Sequence, residues 1–192
     1  MFRSPWNLTL LSNLALLMAL ALPVNADTTP TRDTGLFSAD GFRLDRYRSP
    51  TPAKAPGATT VDTAALQALL ERHADLVLID VINVEYRHQR FLQDQPHPSI
   101  PNAHWLPNTG KGQLEPRWQR YLMDNLARLT GERPDHPVAV FCKSDCWLSW
   151  NAVKRLTEAG YRNVYWFKDG IDSWIGAGLP TRAATPVPPT QS

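Results

Sequence analysis

FCKSDCWLSWN, residues 141–151, contains both cysteines of the chain, Cys142 and Cys146. Just before it, Val138, Ala139, Val140 and Phe141 form a short apolar run that reads as a buried strand, and residues 147–159 after it carry helical spacing. The cysteines are therefore expected on a strand-to-helix loop. A thiol in that position meets the unpaired N–H groups of the first helical turn and the positive end of the helix dipole, and both favour thiolate over thiol. A sulfur nucleophile is expected there. The competing reading makes the pair two small buried apolar residues, or one structural disulfide.

On either side of this loop, helix and strand patterns alternate. Residues 61–73 (VDTAALQALLERH) start at an Asp62 or Thr63 cap and put Leu66, Leu69 and Leu70 on one face, as an amphipathic helix does. Residues 76–81 (LVLIDV) form a continuous apolar run ending around Asp80, the mark of a strand covered on both sides. A short helix is expected over residues 84–91 and a short strand over 103–106. A helix is expected over 117–129, with Trp118, Tyr121, Leu122, Leu126 and Leu129 on its buried side. A last strand, 164–167, and a short helix, 170–177, close the pattern. The fold class is α/β: a single domain with a central parallel sheet and helices on both faces. Ligands of such sheets bind beyond the carboxyl ends of the strands. The cysteine loop and the Asp80 turn share that rim.

The ends of the chain read differently. Arg3, the apolar run 8–22 and Val24-Asn25-Ala26 are the three parts of a secretory signal, with cleavage expected after Ala26. The run is shorter than the ~20 residues of a membrane span, so no stable membrane insertion is expected after cleavage. The compartment is then oxidising, and a cysteine pair there spends part of its life as a disulfide. Residues 27–60 read as an extended leader lying on the domain, pinned by Phe37, Phe42, Leu44 and Tyr47. The domain proper covers 61–181, and residues 182–192, rich in Pro and Thr, read as a disordered tail. The chain holds 20 Lys and Arg against 18 Asp and Glu, and removing residues 1–26 takes away only Arg3. That balance gives no electrostatic ground for a nucleic-acid partner.

LIDVINVEYRHQRF (78–91), SIPNAHWLP (99–107) and VAVFCKSDCWLSWNAVKRLTEAGYRNVYWFKDGIDSWIGAGLP (138–180), in this order, closely resemble the rhodanese-like domain. The likeness runs over residues 61–181. Within that family, Cys146-Trp147, the SWNA that follows and the leader GFRLDRYRSPTPAKAPGATTVDT (41–63) are similar to an exported, periplasmic group. Its members are associated with alcohol catabolism dependent on pyrroloquinoline quinone (PQQ), and are named for a CXXCW motif. Lys143, Ser144 and Asp145 make the gap three residues here.

The resemblance implies that Cys142, first residue of a six-residue cradle, carries a persulfide, and that Lys143, Ser144, Asp145 and Trp147 line the substrate site. Lys143 keeps one positive charge there, but Asp145 adds a negative one and Trp147 stands where an arginine is common. A dianion such as thiosulfate is disfavoured by that exchange. Without an arginine to stabilise a phosphoryl transition state, phosphatase chemistry is not expected. Cys146 is placed to resolve an adduct on Cys142 through an intramolecular disulfide, or to release sulfane sulfur from it. The resemblance gives Asp80 a supporting role, accepting N–H bonds of the loop, and Arg87 lies near enough to the rim to meet an anionic donor.

His73, His88, His97, His104 and His136 show no tight metal-ligand spacing to the cysteines, so no metal is expected. Trp147, Trp150, Trp166 and Trp174 read as core and pocket walls; stacking a quinone on them is the lesser reading. No cofactor is required, and any link to PQQ comes from the resemblance alone. Two function classes follow. One is an exported sulfurtransferase or thiol oxidoreductase acting on a small sulfur donor and acceptor or on a thiol protein. The other is a non-catalytic binding or carrier module, for a redox cofactor or metal, serving a periplasmic PQQ-dependent dehydrogenase system. A disulfide-stabilised structural protein is a weaker third.

Overall fold

In the computed structural model, residues 35–189 are described. The expected signal segment 1–26, the start of the leader and residues 190–192 lie outside them. The apolar run Val138–Phe141 (β7) is fully buried at the centre of a five-stranded sheet. Its parallel neighbours are Val77–Asp80 (β2) and Val164–Phe167 (β8), and beyond them lie His104–Trp105 (β6) and Thr59–Val61 (β1). The order is β1-β8-β7-β2-β6, all parallel.

Because side chains alternate along a strand, Val77, Ile79, Val138, Val140, Val164 and Trp166 face one way and Leu78, Ala139, Phe141 and Phe167 the other. The first set packs against Pro116–Thr130 (α2) and Trp147–Glu158 (α3); the second packs against Thr63–Arg72 (α1) and Gly170–Gly176 (α4). Each large side chain buried in these layers contributes about 2 kcal/mol. Local chemistry sets the helix ends. Asp62 caps α1 by accepting from Ala65 N at 2.8 Å. Pro116 opens α2, and Gly131, at φ 61°, ends it.

Three expectations are corrected. Residues 84–91 are not a helix: Glu85–Arg87 (β3) and Arg90–Leu92 (β4) form a hairpin turned at His88 and Gln89, both at positive φ. The pairing sets Tyr86 opposite Phe91, and both rings pack on Trp118. That aromatic cluster outweighs the cost of two strained turn residues. Val61, the first residue of the helix expected over 61–73, ends strand β1 instead, and the helix itself runs over Thr63–Arg72.

The expected disordered tail is the third. Over residues 182–189 it is docked: Arg182–Ala184 (β9) pairs antiparallel with His97–Ser99 (β5). Val187 N donates to Trp105 O at 2.9 Å, and the Tyr121 hydroxyl donates to Val187 O at 2.6 Å. Main-chain bonds hold this segment, so its poor apolar content gave no sign of them.

Residues 35–58 form a strap across α3. Asn151, wholly buried, accepts from Arg43 N at 2.9 Å and donates to Arg43 O and Gly110 O, treating the strap as a neighbouring strand. The strap runs so close to Gly112 that a Cβ there would lie 2.1 Å from Arg43 O. Phe42 is buried, and the Tyr47 hydroxyl accepts from Gly112 N. Among the described residues, no helix is long and apolar enough to cross a membrane.

Candidate functional site

Leaving β7, the chain makes a tight turn through residues 142–146 before α3 begins at Trp147. Asp145 takes φ 45°, a left-handed conformation that turns Cys146 back over Cys142. The turn is fixed from below and from the side. Cys142 O accepts from Ile171 N at 2.9 Å, and Gly170, at φ 56°, comes so near that a Cβ would lie 2.2 Å from that oxygen. Asp172 Oδ2 accepts from both Ser144 N (3.0 Å) and Ser144 Oγ (2.9 Å).

The two sulfurs keep different company. Cys142 is inaccessible, and its thiol points at Cys146 O (3.3 Å) and Ser149 Oγ (3.2 Å). Ser149 is itself wholly buried, donating to Cys146 O and accepting from Trp166 Nε1 at 3.0 Å. Burial pushes the Cys142 thiol well above the ordinary thiol range, and negative charge on Cys146 pushes it further.

Cys146 occupies the N-cap position of α3. Its thiol is lowered to about 7, first by Cys142 acting as a donor towards its sulfur, against the cost of its own burial. The amides of Leu148 and Lys143 and the charge of Arg48 lower it further. The Cys146 side chain closes no full capping hydrogen bond, so those amides act through their field. Both cysteines are free thiols. A thiolate was expected on Cys142; in this arrangement its burial favours the thiol, against the Ser149 amide and hydroxyl, and Cys146 is the more readily ionised of the two.

The other expected residues divide. Lys143 is exposed beside the pair and forms no ion pair among the described residues. Ser144 is spent on Asp172, and Asp145 faces Lys168 Nζ at 4.0 Å. Trp147 anchors the strap instead of lining a pocket: its Nε1 donates to Ser49 Oγ and Pro50 O, and Phe37, Trp150 and the Arg43 guanidinium surround its ring at 5.3, 5.2 and 5.1 Å. Asp80 does not serve the cysteine loop. Fully buried, it accepts from Ser99 Oγ at 2.7 Å and Ile82 N at 3.0 Å, and lies 2.8 Å from His97 Nε2, so it supports β5. Arg87 pairs with Glu85 at 2.7 Å on the exposed hairpin, and no bond joins it to the cysteines.

Two site residues were missed. Ser149 lies in the first turn of α3, and the SWNA motif containing it carried no chemical role in the sequence. Arg48 comes from the strap, and only the fold puts it opposite Cys146. A cavity of about 880 Å³ lies near Arg155 at the far end of α3, roughly 13 Å along the helix from Cys146. No group of three or more potential metal ligands occurs among the described residues.

Sheet order, loop placement and thiol pair define a parallel α/β protein with a cysteine turn at the carboxyl end of its central strand. The family model of the rhodanese-like domain matches residues 62–177. The chain belongs to that family. Among solved structures it is similar to the polysulfide-sulfur transferase homodimer from Wolinella succinogenes, at 26% identity over 67% of this chain and 81% of that one, with TM-score 0.45. It is similar to thiosulfate sulfurtransferase from Pseudomonas aeruginosa at 22% identity, covering 67% and 21% of the two chains, with TM-score 0.48. For YnjE the values are 18%, 70% and 33%, with TM-score 0.50, a likeness of fold. The chain thus spans a fifth to a third of the length of these last two. No curated protein matches it.

Proposed function

We propose that this chain is an exported sulfur-handling protein in which Cys146 is the attacking thiolate and Cys142 the resolving thiol. The observation that carries the proposal is the contrast between the two sulfurs: Cys142 is inaccessible, and its burial outweighs the Ser149 amide and hydroxyl that favour a thiolate, whereas Cys146 at the N-cap of α3 is lowered to about 7. Membership of a sulfur-transfer family agrees with it.

With a hydropersulfide donor RS–SH, Cys146 Sγ attacks the outer sulfur, the donor S–S bond breaks, and RS⁻ leaves, giving Cys146–S–SH. A thiolate acceptor then takes that sulfur and returns Cys146 to thiolate. Otherwise Cys142 loses its proton and attacks Cys146 Sγ; HS⁻ leaves and a Cys142–Cys146 disulfide remains, the two thiols having supplied both electrons. An ordinary disulfide follows the same course, with a second thiolate leaving in place of HS⁻. Two of the cations near the loop face a carboxylate, Arg48 with Asp172 and Lys168 with Asp145, which leaves Lys143 to meet a dianionic donor.

The exported location rests on the N-terminal sequence, and service to PQQ-dependent catabolism rests on the sequence resemblance. The tryptophans beside the loop do not fit a quinone: the faces of Trp147 are covered and Trp150 is buried. The proposal therefore gives the protein no PQQ of its own. A second reading, a non-catalytic module, is favoured by the near-complete burial of both sulfurs.

One measurement separates the two. Intact mass is recorded for protein recovered from the exported fraction, then after reduction and exposure to a sulfane donor with a thiol acceptor. The mature chain should begin at Asp27. With donor alone Cys142→Ser should retain one extra sulfur on Cys146, with acceptor added wild type should turn over, and Cys146→Ser should do neither. Equal loading of Cys146→Ser and wild type would remove Cys146 as nucleophile, and no adduct in any form would leave the binding module.

A further inference from the structure

The strap meets the cysteine turn in a short antiparallel pairing. Trp147 N donates to Tyr47 O at 2.8 Å and Ser49 N donates to Asp145 O at 3.1 Å, bracketing Arg48 opposite Cys146. Bonds from the flanking residues, with none between the two opposed residues, define the non-hydrogen-bonded type of antiparallel pair. In that type the Cα atoms approach to roughly 4.5 Å and the side chains are at their closest, on the same face. Arg48 and Cys146 therefore project together, by backbone geometry alone.

The guanidinium is further located by Asp172. Arg48 Nη1 lies 3.9 Å from Asp172 Oδ2, the oxygen that accepts both Ser144 bonds. A positive charge, one carboxylate and the loop backbone form a chain along one side of the turn. The Arg48 side chain is 55% exposed, so it is open to an incoming sulfur compound. Its Coulombic effect on Cys146 acts in the same direction as its placement.

Resting on the sulfur-site reading above, the geometry points to Arg48 as a positioning residue of that site: the strap supplies the arginine that the cysteine loop lacks. Trp147 occupies the loop position where a cation was sought, and its ring is used to hold Ser49 and Pro50. The residue that displaces a loop arginine thus anchors the segment that brings another one. The charged and titratable groups around Cys146 are Cys142, Lys143 and Asp145 on the turn, Lys168 just before α4, Asp172 in its first turn, and Arg48 on the strap. Arg48 is the one whose backbone pairs with Cys146. The favoured ligand is a singly charged sulfur anion, a hydropersulfide terminus for instance, because Asp172 already neutralises part of the guanidinium.

The test alkylates reduced, full-length protein with neutral iodoacetamide and anionic iodoacetate from about pH 5 to about pH 9, with mass spectrometry assigning the labelled cysteine. Arg48→Gln should raise the midpoint of Cys146 labelling by about half a pH unit, a roughly threefold slower reaction below the midpoint. It should also lower the iodoacetate rate relative to iodoacetamide. Arg48→Lys should restore both readouts, and Arg46→Gln on the same strap should change neither. In wild type, added salt should raise the midpoint in the same sense, which needs no variant to fold. The inference is overturned if Arg48→Gln matches wild type, if Arg48→Lys fails to restore it, or if salt moves nothing. Wild-type Cys146 that never labels would sink the sulfur-site reading and this inference together; labelling with an unchanged Arg48→Gln profile would sink this inference alone.

Discussion

Cys142 and Cys146 share a loop and a core, yet their chemistry is set by which atoms each sulfur faces. Burial asks for a proton on Cys142; amides and a guanidinium ask for a negative charge on Cys146. Since Cys146 is lowered to about 7 and Cys142 is raised, alkylation of the native protein should rise with pH through about 7. It should be roughly tenfold slower one unit below, with Cys146 labelled and Cys142 silent until unfolding. Peptide mapping after alkylation checks this, and early label on Cys142 would reverse the assignment. The loop was legible in the sequence because apolar run, cysteine and helical spacing are local signals. The division of roles was not, because it depends on side-chain direction, on Ser149 one helical turn away and on Arg48 almost a hundred residues upstream.

At the scale of elements, the parallel core was legible and its edges were not. Buried strands such as Val77–Asp80, Val138–Phe141 and Val164–Phe167 announce themselves by continuous apolar runs. The hairpin at His88 and Gln89 lacks the Gly or Asn that marks such turns, and its reason lies in Trp118, far along the chain. The docked tail is held by main-chain bonds that composition cannot show. Tyr121→Phe removes the bond to Val187 O and should cost about 1 kcal/mol, measured by denaturant unfolding. Amide exchange at Val187, whose N–H reaches Trp105 O, should quicken in the same variant. Unchanged exchange would mean that the tail does not depend on α2.

Across the whole molecule, both flanks of the matched segment 62–177 are structural. β1 closes one edge of the sheet, the strap covers Trp147 and Trp150, and β9 pairs with β5. A chain cut to residues 62–177 should therefore melt without a sharp transition and bind a hydrophobic dye, whereas residues 35–189 should unfold cooperatively. Calorimetry with dye fluorescence decides; a sharp, dye-free transition in the short form would show the flanks to be ornaments. Charge balance and the αβ alternation were enough to find the class, but which flank completes which face depends on contacts spanning most of the chain.

Arg43 bonds to Asn151 across 108 positions, and Trp147 to Ser49 across 98. Synthesis delivers the N-terminal side first, so the strap must wait for α3 before it has anything to grip, and contacts of such long range are slow to close. During that wait the thiols stand uncovered. Once the strap settles, Cys142 has no exposed surface, so a reagent from solution that is to meet that inner sulfur directly has only the interval before that closure.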